Sequence, residues 1–123
     1  MAKPELVCVV DDDPSVRESL PDLLRTFGFD VQAFSSAEAY LVSGVADATD
    51  CLVLDVSMPG MSGPDLHREL KKRRSRVPIV FMTAHAHLRE KLGLPDGNAV
   101  SCLLKPFNEQ SLVQAIRAAI GTS

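Results

Sequence analysis

Cys51-Leu52-Val53-Leu54 is an unbroken run of apolar strand formers that stops at one carboxylate, Asp55, and breaks at Pro59-Gly60 before a helical pattern begins near Ser62. A strand that is apolar at every position, not at alternate ones, has no solvent face and belongs inside a parallel-type sheet. The same grammar recurs along the chain. Residues 6–10 run into Asp11-Asp12-Asp13, residues 77–82 into Thr83-Ala84, and residues 100–104 into Lys105, with 31–34 as a shorter second strand.

Helical spacings fill the intervals. Pro14 suits a first helical turn, where its missing N–H has no partner to lose, and Val16, Leu20, Leu23, Leu24 and Phe27 form an inward stripe up to Gly28. Pro21 falls inside that stripe; it removes a backbone hydrogen bond at a cost of about 3 kcal/mol and predicts a kink. Ser35 with Glu38 forms a capping-box pattern for a helix over 36–41 that Gly44 closes. Ser62 and Pro64 open a third helix with Leu66 and Leu70 inward, and Asn108 caps the last, with Leu112, Val113, Ile116 and Ile120 inward. Between the fourth and fifth strands, Gly93, Pro95 and Gly97 leave room for about one and a half turns, so that crossover helix is expected to be short or irregular. Five strands alternating with helices predict an α/β fold with a parallel sheet and right-handed crossovers. At 123 residues the chain is the size of one ordinary domain, and residues 1–123 are read as a single unit.

A net charge of -3 gives no global attraction to nucleic acid or to a membrane surface, so function has to come from a local site. No apolar run approaches the roughly 20 residues of a membrane span and no signal-peptide core is present, which predicts a cytoplasmic protein. Lys71-Lys72-Arg73-Arg74 reads as a solvated helix end favoured by the macrodipole, not a nucleic-acid patch. His85 and His87 lack further ligands at metal-site spacing and read as loop residues. Cys8, Cys51 and Cys102 all sit in strand-like runs and, being odd in number, read as buried reduced thiols.

In an open parallel sheet the ligand site lies beyond the carboxyl ends of the strands. There the sequence delivers Asp11 and Asp12, Asp55, Thr83 and Lys105 from four separate strands. Each has an ordinary explanation alone, as a turn residue, an N-cap or a solvated lysine. Together they do not. Three carboxylates about 5 Å apart repel by roughly 3 kcal/mol per pair at an effective dielectric of 20, so a cation must sit among them or one must take up a proton. An all-oxygen donor set points to Mg²⁺, while Lys105 and the Thr83 hydroxyl suit an anion beside it. A carboxylate, a hard cation and an anion cradle indicate phosphoryl chemistry with Asp55 as acceptor.

Val10-Asp11-Asp12-Asp13, Leu54-Asp55-Val56-Ser57-Met58-Pro59-Gly60-Met61-Ser62-Gly63, Met82-Thr83-Ala84-His85 and Leu104-Lys105-Pro106-Phe107, in this order and spacing, resemble the receiver domain of two-component response regulators over nearly the whole chain. Residues 35–39 resemble the FixJ-like subset. The resemblance implies a flavodoxin-like, doubly wound sheet of strand order 2-1-3-4-5. It implies that Asp55 accepts a phosphoryl group from a sensor histidine kinase. It further implies that Asp12 binds Mg²⁺ directly and Asp11 largely through water, that Ser57 lends its backbone carbonyl to the metal, and that Thr83 and Lys105 hold phosphoryl oxygens. A cis peptide before Pro106 is expected on the same ground. Two features depart from the family: Cys102 stands where an aromatic is usual three positions before the lysine, and the crossover helix after the fourth strand is interrupted.

The leading expectation is therefore a switch that changes a partner-binding face on phosphorylation and catalyses only its own phosphorylation and dephosphorylation. A Mg²⁺-dependent phosphohydrolase shares the nucleophile and metal, but Val56-Ser57 supply no second acid for the leaving group. A flavin protein fits the fold, yet the acidic first turn would repel a cofactor phosphate. A linker to an output domain could begin at Gly121-Thr122-Ser123, and nucleic-acid binding by residues 1–123 themselves is not expected.

Overall fold

The computed structural model describes residues 4–84, 100–106 and 108–121. Five strands, β1 (Leu6–Val10), β2 (Asp30–Phe34), β3 (Cys51–Asp55), β4 (Ile79–Thr83) and β5 (Val100–Leu104), form one parallel sheet of order β2-β1-β3-β4-β5. The helices are α1 (Pro14–Thr26), α2 (Ala37–Ser43), α3 (Gly63–Lys72) and α4 (Glu109–Ile120), with a 3-10 turn at Ala46–Ala48. The interrupted crossover expected at 87–98, and the loop histidines His85 and His87, lie outside the described residues.

Alternation along each strand sends side chains to opposite faces. Val7, Val9, Val53, Val80 and Met82 pack with Leu20 and Leu24 of α1 and Leu112, Val113 and Ile116 of α4. Cys8, Val10, Leu52, Leu54 and Phe81 pack on the other face with Ala37 and Tyr40 of α2 and Leu66 and Leu70 of α3. β3 is buried at all five positions, as its unbroken apolar run requires. The sheet is doubly wound.

The helix ends show why these segments begin where they do. Asp13 caps α1 by accepting from the Ser15 N–H, Asn108 caps α4 through Ser111, and Ser62 with Asp65 forms a complete capping box on α3. Helix α1 continues through Pro21, which is buried. Two expectations change in detail. Phe27 is not part of the inward stripe: α1 ends at Thr26, Phe27 is the cap and is 36% exposed, and Phe29 enters the core instead. The cap of α2 is Ser36, which accepts from Ala39, and Glu38 turns away to bond the loop after β3.

Candidate functional site

Asp11, Asp55, Thr83 and Lys105 each stand at the last rung of a strand ladder or one step beyond it. The Asp11 N–H donates to the Phe34 carbonyl, extending the β1–β2 pairing, and the Lys105 N–H donates to the Thr83 carbonyl at 2.7 Å, extending β4–β5. Asp55 is in register with Met82, and the next residue, Val56, donates to the Met82 carbonyl. The sheet therefore fixes the backbones of Asp11, Asp55, Thr83 and Lys105 along one edge, as the sequence predicts.

Turn geometry then sets how the side chains meet. Gly63, the first residue of α3, lies so close that a Cβ there would come 2.4 Å from the Asp55 carbonyl oxygen, and its N–H donates to Val56. Any larger residue would push α3 away from the acceptor. After β1, the Asp11 carboxylate accepts from the Asp13 N–H at 2.9 Å, which holds the acidic turn closed.

Asp11 is fully buried, Asp55 is 8% exposed, and Asp12 lies open to solvent. One carboxylate oxygen from each falls within 4.8 Å of the others. Lys105 Nζ lies 3.1 Å from Asp11 Oδ2 and 3.7 Å from Asp55 Oδ1. Burial and then the neighbouring Asp11 charge push the Asp55 carboxyl up to about 6; Lys105 opposes this, Asp12 adds to it, and a hydrogen bond from the Ser57 backbone lowers it. One ammonium does not neutralise three acids.

The donor set fits Mg²⁺. Octahedral coordination at 2.0–2.1 Å places ligand oxygens roughly 3 Å apart when adjacent and about 4 Å when opposite, so three carboxylate oxygens within 4.8 Å of one another need only a small inward movement to share one ion. They also match its preference for oxygen over thiolate or imidazole. Thr83 is buried at the end of β4. Ser57 is exposed in the loop, with its N–H on Asp55.

Two residues near the site are missed by sequence reasoning. Arg17 Nη1 donates to the Asp11 carbonyl at 3.1 Å, bracing the acidic turn from the second turn of α1. Glu38 Oε2 accepts from the Met61 N–H at 3.1 Å, bracing the loop after Asp55 from α2. Helical phase from the Asp13 cap could have pointed to Arg17; nothing local could have paired residues 38 and 61.

The thiols are as expected. All three cysteines are free and buried, and burial raises Cys8 and pushes Cys51 up to about 12, so neither is a nucleophile at neutral pH. Cys102 lies beside Phe81 in the sheet register, and the Lys105–Pro106 peptide is cis.

A parallel sheet of order 2-1-3-4-5 with acids and a lysine on its carboxyl edge defines a class, and residues 7–117 match the model of the response regulator receiver domain. The chain belongs to that family. It is 45% identical over 114 residues to nodulation protein W of Bradyrhizobium diazoefficiens, covering 93% of this chain and 50% of that protein. It is 39% identical over 117 residues to the transcriptional regulatory protein FixJ of Azorhizobium caulinodans, covering 95% and 56%. The chain thus spans about half the length of these relatives. Among solved structures, the response regulator protein TrrA of Thermotoga maritima, in complex with Mg²⁺-BeF, superposes with a TM-score of 0.81 at 29% identity, covering 94% of this chain and 98% of that one. Among the described residues, no helix is long and apolar enough to cross a membrane.

Proposed function

We propose that residues 1–123 act as one receiver unit whose Asp55 accepts a phosphoryl group from the phosphohistidine of a sensor kinase in the cytoplasm. The observation that carries this is the cluster itself: Asp11, Asp12 and Asp55 within 4.8 Å, with Lys105 3.7 Å from Asp55. In the transfer, an Asp55 carboxylate oxygen forms a bond to phosphorus as the phosphorus–nitrogen bond breaks, and the released imidazole nitrogen keeps the electron pair and later takes a proton from solvent. Asp11, Asp12, Asp55 and the Ser57 carbonyl would hold Mg²⁺, which would supply positive charge to offset the carboxylates and the incoming phosphoryl group. The TrrA complex with Mg²⁺-BeF supports this reading, since a chain of the same family and fold takes that cation with a small anionic group.

Phosphorylation adds about -1.5 to -2 charges at a buried edge. Lys105 gives up its contact with Asp55 Oδ1 to meet the new oxygens, and the Thr83 hydroxyl donates to another. Both shifts propagate to the β4–β5 side of the molecule, where Cys102 offers no aromatic ring to reorient. The face that changes is read by an output domain or a partner protein.

Incubation with Mg²⁺ and a small phosphodonor such as acetyl phosphate tests the assignment. The parent protein is expected to take up one phosphoryl group and Asp55→Asn none; equal labelling of both would overturn it. Multiple turnover of phosphate esters would instead favour the phosphohydrolase reading.

A further inference from the structure

The loop after Asp55 is fixed at both ends but lightly held in its middle. Val56 is anchored to Met82, and Gly63 and Ser62 are locked into the start of α3. Between them, the Ser57 N–H is used by Asp55 itself. Met61 is bound from outside the loop, by the carboxylate of Glu38 on α2, at 3.1 Å.

The same carboxylate makes a second, independent approach. A Cβ at Gly60 would sit 2.9 Å from Glu38 Oε2, and Gly60 has φ +75, a backbone conformation that glycine adopts without strain. Glu38 therefore rests against the Gly60-Met61 turn on the bare backbone. It is not serving as the capping-box partner that its spacing from Ser35 suggests.

We infer that Glu38 is a positioning residue, whose bond to Met61 sets the loop that presents Ser57 to the metal beside Asp55. The inference rests on the proposed role of Ser57 in holding Mg²⁺. A carboxylate accepting a backbone N–H is a charge-assisted bond, and partners one step removed from metal ligands commonly tune metal affinity by orienting them. Helix α2 is thereby coupled to occupancy of the site without touching the reacting atoms.

NMR on the metal-free protein titrated with MgCl₂ reads Met61 and Mg²⁺ binding together. Glu38→Ala is expected to move the Met61 amide resonance and raise the Mg²⁺ dissociation constant at least about fivefold. Glu38→Gln keeps an acceptor oxygen and is expected to retain most of the parent affinity. Parent-like affinity in Glu38→Ala would overturn the inference, as would equal losses in the Ala and Gln variants, which would mark a charge effect instead of positioning. A phosphodonor arm keeps the two ideas apart. If the parent is not labelled at Asp55 the functional reading fails, while the Mg²⁺ comparison still decides the role of Glu38.

Discussion

Two polar clusters are attached to the same sheet, and they are built on opposite principles. On the α2–α3 face, the Tyr40 hydroxyl donates to Thr49 Oγ1 at 2.9 Å, Thr49 donates to the Val45 carbonyl at 2.7 Å, and Cys8 Sγ lies 3.4 Å from the same Thr49 oxygen. Every member is neutral, and burial pushes the Tyr40 hydroxyl up to about 12, so it stays neutral. At the carboxyl edge, Asp11 and Asp55 share one lysine with Asp12 close by, and Asp55 is pushed up to about 6. The first cluster closes on itself and serves as scaffold. The second is left with unbalanced charge, which a cation or a proton relieves, and that imbalance is what a ligand site looks like before its ligand arrives.

The sharpest way to separate the two is to remove a member of each. Tyr40 is fully buried, and Tyr40→Ala is expected to destabilise the fold by about 3–5 kcal/mol through cavity formation. Denaturant titration measures the loss, and phosphodonor labelling of the folded protein should be unaffected. Asp55→Asn is expected to do the reverse, stabilising the metal-free protein at pH 7 by roughly 3 kcal/mol while abolishing labelling. The sign comes from proton binding. The Asp55 carboxyl is raised from 3.8 in the unfolded chain to about 6 in the fold, so the native state holds the extra proton in that interval and parent stability falls as pH rises through it. The advantage of the Asn variant should therefore vanish near pH 4 and be complete above about pH 6. Tyr40→Phe is the smallest change: it removes one hydrogen bond, with an expected cost of about 1 kcal/mol independent of pH over the same range. A pH-dependent loss there would break the contrast between the clusters.

Much of this is legible in the chain because the signals are local. Unbroken apolar runs mark strands buried on both faces, and the residue at the end of each run is delivered to the sheet edge by geometry alone, which is why Asp11, Asp55, Thr83 and Lys105 stand together. The acids do not share one environment, however. Asp11 continues the β1 ladder into the interior while Asp12 turns outward, a difference that depends on where pairing with β2 stops. Phe27 shows the limit of periodicity: it keeps helical phase, but the helix has already closed at Thr26. Ser35 with Glu38 fits the capping-box template, yet Ser36 is the cap and Glu38 bonds Met61, 23 positions away, in a contact no window of sequence contains.

If the carboxyl-edge cluster is poised for a cation, the Asp55 carboxyl must respond to it. Titrating the Asp55 carboxyl by carbon-13 NMR, with and without Mg²⁺, tests this most directly. A midpoint near 6 in the metal-free protein that drops well below the usual carboxylate range on adding Mg²⁺ is the predicted result. An ordinary midpoint, unmoved by Mg²⁺, would contradict it.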